Sequence, residues 1–121
     1  MRMKKKKKGA QKEEEVCAYL RSMGVKIVER NFRSRQGEID MIGYDGGYLV
    51  FFEVKFRAGK SRGSAAEAVG LVKQRKICRV ADYYRVLHHC AEDTPLRFDV
   101  VAVDGEQVTW IKDAFNYISW H

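Results

Sequence analysis

Apolar residues at helical spacing define the first predicted element, a helix over residues 9–23. Its buried stripe consists of Val16, Tyr19, Leu20 and Met23. At about 100° per residue, Glu13 projects roughly 60° from the centre of that stripe, whereas Glu14 lies nearly opposite it. Of three consecutive glutamates, Glu13 is therefore the one directed at the protein, where a carboxylate needs a partner. The alternative is an ordinary first-turn glutamate favoured by the helix dipole.

A hairpin is predicted next, because residues 37–44 and 48–57 alternate polar and apolar side chains. A loop made only of the two glycines between these strands would place Asp40 directly opposite Glu53. A loop shifted back by one residue would leave Asp40 diagonal to Glu53. A three-residue loop is disfavoured because it would mix the two faces of the hairpin.

The expected register collects charged side chains on one face of the hairpin. The core-facing positions of the second strand are Val50, Phe52, Val54 and Phe56. Glu53 and Lys55 point to the other face, with Glu38 opposite Lys55. One interpretation is a solvated face with an ordinary Glu38–Lys55 ion pair. The other is an acidic site, which a third carboxylate from Glu13 would favour.

The remaining pattern predicts a single α/β domain. Further strands are expected at residues 25–33, 97–104 and 107–112, a basic loop at 58–64, and a second helix from a capping box at Ser64 and Glu67 to about residue 88. Strands flanked by helices, with a hairpin among them, indicate an α/β sandwich with a mixed central sheet. Residues 1–8 are assigned to a disordered basic tail and residues 9–121 to the domain.

The second helix is predicted to be amphipathic. Its inward side chains are Val69, Val72, Ile77, Val80, Ala81 and Tyr84. Lys73 leans toward the sheet, while Arg75 and Arg79 form an outer row. The sequence His-His-Cys at residues 88–90 indicates a polar helix end rather than a zinc site, because no second ligand pair stands at a suitable spacing.

Charge is unevenly distributed along the 121 residues, whose formal net charge is +7. Arg2 and the lysines at residues 4–8 supply six of these charges, and residues 53–79 hold eight basic side chains against two acidic ones. Residues 91–121 hold six acidic side chains against two basic ones. A basic region beside an acidic cluster suits a nucleic acid backbone. The lysine run is typical of a solvated tail, with a binding role as the alternative.

Other sequence features bear on location and on the C terminus. No run of about 18 apolar residues exists, so no membrane span is predicted and a cytoplasmic protein is expected. Three cysteines, Cys17, Cys78 and Cys90, indicate no disulfide framework. The aromatic residues Trp110, Phe115, Tyr117 and Trp120 are expected to cap the core, with a partner or base-stacking surface as the alternative.

Short motifs spread from about residue 9 to about residue 104 carry a family resemblance. They are Gly9 with Glu13 and Tyr19-Leu20, Arg30-Asn31-Phe32-Arg33, Gly37-Glu38-Ile39-Asp40, Phe52-Glu53-Val54-Lys55-Phe56-Arg57, Lys73, Lys76-Ile77, Ala81 and Arg97-Phe98-Asp99-Val100-Val101. Together they resemble the YraN family of uncharacterised bacterial proteins. That family in turn resembles the PD-(D/E)XK nucleases, including archaeal Holliday junction resolvases. The chain departs from these patterns at Ile39, where the name-giving proline would stand, and at Lys12 and Val16, where YraN proteins usually have glycine and alanine.

The resemblance implies a restriction endonuclease-like fold with a metal-dependent nuclease site. It assigns Glu13 as the helical acid, Asp40 as the strand aspartate, and Glu53 with Lys55 as the Glu-x-Lys pair. We expect Mg²⁺, or Mn²⁺ as a substitute, to bind Asp40, Glu53 and the Val54 carbonyl. Glu13 would act through a water or hold the ligands in place. Lys55 would orient the attacking water and stabilise charge on the phosphate.

The expected activity is hydrolysis of phosphodiesters in DNA, branched or duplex, with RNA as an alternative polymer. Candidate phosphate contacts are Arg33, Arg35, Arg57, Lys60, Arg62, Lys73 and Lys76. A non-catalytic nucleic-acid-binding module on the same fold is the alternative function, and a structural interaction protein is a third. The resemblance to junction resolvases suggests a homodimer.

Overall fold

The structure is a computed structural model that describes residues 4–57 and 69–119, with the backbone alone at residues 4–9 and 57. In chain order its elements are α1 (Lys4–Ser22), β1 (Lys26–Ser34), β2 (Gly37–Asp45), β3 (Tyr48–Arg57), α2 (Leu71–Leu87), β4 (Leu96–Asp104) and β5 (Gln107–Phe115). Several predicted features lie outside the described residues, namely the basic loop, the capping box at Ser64 and Glu67, the side chain of Arg57, and Lys60, Arg62 and Trp120.

The five strands form one sheet in chain order from β1 to β5. β3 and β4 run parallel, and every other neighbouring pair is antiparallel. On β3, Leu49 and Phe51 pack on the side of α2, whereas Val50 and Phe52 pack on the side of α1. The two helices therefore cover opposite faces. The predicted α/β sandwich with a mixed central sheet, the layering of a restriction endonuclease-like domain, is confirmed.

The hairpin between β2 and β3 has the predicted loop of two glycines. Asp45 pairs with Tyr48. Gly46 has a φ of +64°, which glycine adopts without steric strain. A turn with this conformation matches the twist of the flanking strands. The register is therefore the one predicted to bring Asp40 toward Glu53.

The ladder between β2 and β3 stops before it reaches Asp40. Its last pair is Met41 with Phe52, and Ile39 packs on the α2 side although Met41 packs on the α1 side. On β1, Asn31 stands between the partners of Ile39 and Met41 and has a φ of +52°. The regular alternation predicted for β2 is therefore wrong here, because a left-handed residue in the neighbouring strand disturbs the pleat.

Three residues predicted to be buried are exposed, namely Met23, Phe56 and Val72, with 54%, 45% and 66% of their surface accessible. Each lies at an end of its element, where the opposing layer does not cover it. In the interior of α2, Ile77 and Tyr84 are buried as predicted. The prediction that Arg79 belongs to an outer row is wrong, because its side chain is buried and donates hydrogen bonds to the Tyr117 hydroxyl and the Ile118 carbonyl. α2 ends at Leu87, as expected for a polar helix end. Its predicted start at Ser64 is wrong, because Gly70 is extended and the helix begins at Leu71.

α1 begins at Lys4, five residues earlier than predicted. Lysine is a good helix former, and Gly9 lowers helix propensity by only about 1 kcal/mol, so neither residue ends the helix. The division into a tail at residues 1–8 and a domain at residues 9–121 stays a prediction. In the described part of the chain, no helix is both long enough and apolar enough to cross a membrane.

β5 continues to Phe115, three residues beyond its predicted end. A register shift between Phe98 and Val100 and a φ of +55° at Asp113 interrupt the ladder before Phe115 pairs with Phe98. The rings of these two phenylalanines stack with centroids 5.2 Å apart. Trp110 packs against the α1-side core. For Trp110 and Phe115 the predicted role in capping the core is confirmed.

Candidate active site

Asp40 lies at the point where β2 and β3 separate. Beyond the pair formed by Met41 and Phe52, the side chain of Asp40 replaces the backbone of β2 as the partner of β3. The Val54 N–H donates to Asp40 Oδ2 at 2.7 Å. This hydrogen bond ties the two strands together and holds the half-buried carboxylate in the gap between them.

Burial and, after it, neighbouring acids shift the pKa of Asp40 strongly. Burial and, second, the Glu53 carboxylate raise the pKa of Asp40 from 3.8 to about 7, with smaller contributions from Glu13 and Glu38. The Val54 N–H opposes this rise in pKa. The carboxylates predicted to converge therefore lie within electrostatic reach of one another. Because they disfavour a negative charge on Asp40, this position favours either a proton or another cation.

Glu53 has only 8% of its side chain exposed and forms an ion pair with α2. Lys73 Nζ, from the first turn of α2, lies 3.0 Å from Glu53 Oε2. The hydrogen bond to Glu53 is the largest cause of the raised pKa of Lys73. The prediction that Lys73 leans toward the sheet is confirmed. A carboxylate with so little exposure would be costly without such a partner.

The three consecutive glutamates of α1 have different surroundings. Glu14 and Glu15 are exposed, and Glu13 is half-buried. Glu14 Oε1 accepts a hydrogen bond from Arg30 Nη1 at 2.8 Å, and Glu15 Oε1 lies 3.5 Å from Lys12 Nζ. Glu13 is therefore the member of the series that acts on Asp40, as its helical position predicted.

Lys55 lies half-buried on β3, two residues after Glu53. Among the described residues, the ion pair predicted between Glu38 and Lys55 is not formed. Glu38 Oε2 instead lies 3.6 Å from Arg33 Nε. Because β2 has parted from β3 at this point, Glu38 interacts with its pairing partner on β1.

Val54 contributes a backbone carbonyl to the same gap. In a β-strand, the N–H and C=O groups of one residue point toward the same neighbouring strand. Since the Val54 N–H points to Asp40, its carbonyl oxygen points to the side from which β2 has separated. The effect of Glu53 on the pKa of Asp40 places these two carboxylates near each other, beside the backbone of Val54.

This set of oxygen atoms fits a small divalent ion. Mg²⁺ takes one or two carboxylates and keeps several waters, so Asp40 and Glu53 suffice as acidic ligands. Across residues 4–57 and 69–119, no three His, Cys, Asp or Glu side chains are grouped closely enough to share an ion. Glu13 could therefore take part only through water. The burial of the Asp40 carboxylate near that of Glu53 is the observation that favours a cation here.

Comparison with known proteins identifies the family. Residues 12–103 match the model of the uncharacterised protein family UPF0102. A UPF0102 protein of Lachnoclostridium phytofermentans is 45% identical over 114 residues, covering 94% of this chain and 97% of the relative. Another, from Methylibium petroleiphilum, is 46% identical over 111 residues, covering 86% of this chain and 89% of the relative. The chain belongs to the UPF0102 family.

Basic side chains of this UPF0102 protein lie near the acidic residues on the α2 side. Arg33, Arg35 and Lys76 are exposed. A Cβ atom at Gly37 would lie 3.9 Å from the Cβ of Lys76, so the turn that carries Arg35 lies beside α2. Lys73, Lys76 and Arg35 form a basic rim on the side where Glu53 meets α2. Arg33 pairs with Glu38 on the other face of the sheet, because the preceding pair, Phe32 and Ile39, packs on the α2 side.

The UPF0102 domain also contains a buried charge network that the sequence analysis missed. Asp99 on β4 is fully buried. Its carboxylate accepts hydrogen bonds from Arg97 Nη2 at 2.8 Å and Trp110 Nε1 at 2.8 Å. The Asp113 N–H donates a third at 2.9 Å, and Arg97 also binds Asp45 Oδ2 at 2.7 Å. The sequence does contain a signal for this network, because Arg97 and Asp99 stand in an otherwise apolar strand. Charged side chains that are buried in such a strand require partners.

Proposed function

We propose that this protein is a metal-dependent endonuclease that hydrolyses phosphodiester bonds in DNA. The observation that carries the proposal is the pair of withdrawn carboxylates, Asp40 and Glu53, at the point where β2 and β3 separate. Acids placed together in a poorly solvated position disfavour folding unless a cation compensates them. Such a loss of folding stability is common at functional sites, where carboxylates with shifted pKa values surround a metal.

Each residue of the site has an assigned role. Asp40, Glu53 and the Val54 carbonyl would hold Mg²⁺ or Mn²⁺, and Glu13 would act on the ion through water. A bound ion would polarise the phosphate and make a coordinated water more acidic. Lys55 positions the attacking water and balances the charge that develops on the phosphate. Asp40 is itself positioned by the Val54 N–H.

The basic rim supports a nucleic acid as the substrate. Lys73 and Lys76 have exposed side chains on α2, and the exposed Arg35 lies in the turn beside this helix. A polyanion held along this rim would place a phosphate near Glu53, because Lys73 contacts both the rim and that carboxylate. Contacts from arginine and lysine side chains to phosphates position a nucleic acid backbone without selecting a sequence.

One observation favours the second candidate, a nucleic-acid-binding module without catalysis. Glu53 already has a cationic partner in Lys73, so its burial does not by itself require a metal. On this alternative Asp40 would be protonated near neutral pH, and the basic rim would bind DNA without cleaving it. The two candidates differ in whether cleavage occurs and whether it depends on Asp40.

A cleavage assay on branched and linear DNAs with Mg²⁺ or Mn²⁺ tests the proposal. We expect wild type to cut at least one substrate, and Asp40→Asn to lower the single-turnover rate on the order of 10³-fold, since several kcal/mol of metal-assisted stabilisation are lost. Lys55→Ala should lower that rate on the order of 10²-fold with little change in DNA affinity.

Asp93→Asn is the matched control, because Asp93 is an exposed aspartate outside the site. It should cleave like wild type. Binding of DNA without cleavage in either metal would establish the non-catalytic alternative. Equal cleavage by wild type and Asp40→Asn would remove Asp40 from the mechanism.

A further inference from the structure

The ion pair between Lys73 and Glu53 joins two unequal partners. Glu53 has 8% of its side chain exposed, whereas Lys73 has 52% exposed. A buried carboxylate cannot readily remain without a cation. A half-exposed lysine can exchange its partner for water, because its ammonium is strongly hydrated and sits on a flexible four-carbon chain. Loss of this ion pair is therefore more unfavourable for Glu53 than for Lys73.

Lys73 also occupies the position of a competing ligand. Its Nζ lies 3.0 Å from Glu53 Oε2, and Glu53 is assigned above to the divalent ion. An ion on the remaining oxygen, Oε1, would lie close to the ammonium in a poorly solvated site. Two cations so placed repel each other strongly, since solvent screening is weak there. The more mobile and more exposed cation is the one that would leave.

We propose that Lys73 is an exchangeable counter-ion of Glu53, which neutralises this carboxylate in the metal-free protein and is displaced when a divalent ion binds. This inference rests on the proposed metal site, and it adds a function for a residue of α2. Lys73 is thus a positioning residue that keeps Glu53 ready as a ligand and lowers the apparent affinity for the metal. Exchange of one cation for another leaves Glu53 compensated in both states.

Mn²⁺ titration of the full-length protein by calorimetry, without DNA, tests the competition. Lys73→Met keeps most of the side-chain volume but removes the charge. Losing a charged hydrogen bond that competes with the metal should lower the Kd for Mn²⁺ about tenfold. Lys73→Arg retains the positive charge and should bind Mn²⁺ no more tightly than wild type.

Lys76→Met is the matched control. Lys76 is an exposed lysine one turn further along α2, and it forms no ion pair within the described parts of the chain. This variant removes the same charge from the same helix, so it measures the general electrostatic effect on Mn²⁺ binding. Its Kd should stay within about twofold of wild type, since an exposed charge is largely screened.

Displacement itself can be observed in wild type by NMR, which also covers the case that Lys73→Met fails to fold. The ammonium protons of Lys73 exchange slowly only while they are held by Glu53. We expect the ¹H–¹⁵N ammonium signal, assigned by its absence from Lys73→Arg, to disappear as Mg²⁺ saturates the site.

The outcomes separate this inference from the proposed function. An unchanged Kd in Lys73→Met, or an ammonium signal that persists at saturating Mg²⁺, would overturn the exchange while leaving DNA cleavage intact. If wild type neither binds Mn²⁺ nor cleaves DNA, the metal site and the exchange both fail. A tenfold tighter Kd confined to Lys73→Met, with loss of the signal in wild type, establishes the exchange.

Discussion

Asp40 on β2 and Asp99 on β4 are two aspartates withdrawn from solvent in the same sheet, and their surroundings are opposite. Asp99 accepts hydrogen bonds from a guanidinium, an indole and a backbone N–H. Asp40 accepts one backbone hydrogen bond, from Val54, and is surrounded by other carboxylates. Burial alone therefore does not distinguish a structural acid from a functional one.

The difference lies in charge compensation. Around Asp99, Arg97 neutralises the carboxylate, so the network is complete and supports the packing of β5. Among the described residues, Glu53, Glu13 and Glu38 raise the pKa of Asp40, and the ion pair of Lys73 is formed with Glu53. A fully satisfied network stabilises a fold, whereas a partly satisfied one is unfavourable unless something else binds there. We therefore propose a catalytic role for Asp40 and a structural role for Asp99.

The largest expected difference concerns unfolding. Asp99→Asn should lower the free energy of unfolding by about 3 kcal/mol or more, because an amide cannot neutralise Arg97 or accept all three hydrogen bonds. Asp40→Asn, measured at pH 8 in EDTA, should change stability by less than about 1 kcal/mol or increase it. The amide oxygen can still accept the Val54 N–H, and repulsion among the acids is relieved.

Chemical denaturation of both variants gives these two numbers directly. A similar loss of stability in the two variants would contradict the proposed difference between them. The charge of Asp40 would then be as well compensated as the charge of Asp99. A loss below about 1 kcal/mol for Asp99→Asn would show that its network is not structural.

A smaller effect is expected from pH. The pKa of Asp40 in the folded protein, about 7, lies above the ordinary value of 3.8, so the folded state binds the proton more tightly. The stability that this proton contributes is fully present below pH 3.8, the ordinary pKa, and is lost as the pH rises toward and through about 7, the pKa in the folded protein. Between about pH 5.5 and pH 8 in EDTA, wild type should lose about 2 kcal/mol relative to Asp40→Asn.

Urea denaturation at a series of pH values measures this difference. Subtracting the Asp40→Asn curve removes the contribution of other titrating groups. Parallel curves for the two proteins would mean that Asp40 is ionised normally and that the acids do not act on one another.

The sequence predicted which carboxylates come within electrostatic reach of Asp40 better than it predicted the details of the sheet. Two adjacent glycines set the hairpin register, and helical angles selected Glu13 from three glutamates. The break at Asp40 was not predictable, because it depends on Asn31 in another strand adopting a positive φ. Strand alternation carries no information about such non-local disturbances.

Asp99 shows a different limit of sequence reasoning. Its partners Trp110 and Asp113 lie on β5 and come together with it only when the irregular pairing of β4 and β5 forms. An acid in an apolar strand signals an unusual position, but it does not reveal whether cations or other acids surround it. Whether cations or other acids surround a buried aspartate decides whether its role is structural or catalytic. Only the folded structure shows which residues surround it.

The most direct test of the metal assignment is an anomalous diffraction measurement on crystals soaked in MnCl₂. We predict one Mn²⁺ peak bonded to the carboxylates of Asp40 and Glu53, and none beside Asp99, whose charge Arg97 already neutralises. The same soak of Asp40→Asn crystals should leave the position empty. A wild-type map without a peak at Asp40 and Glu53 would contradict the account.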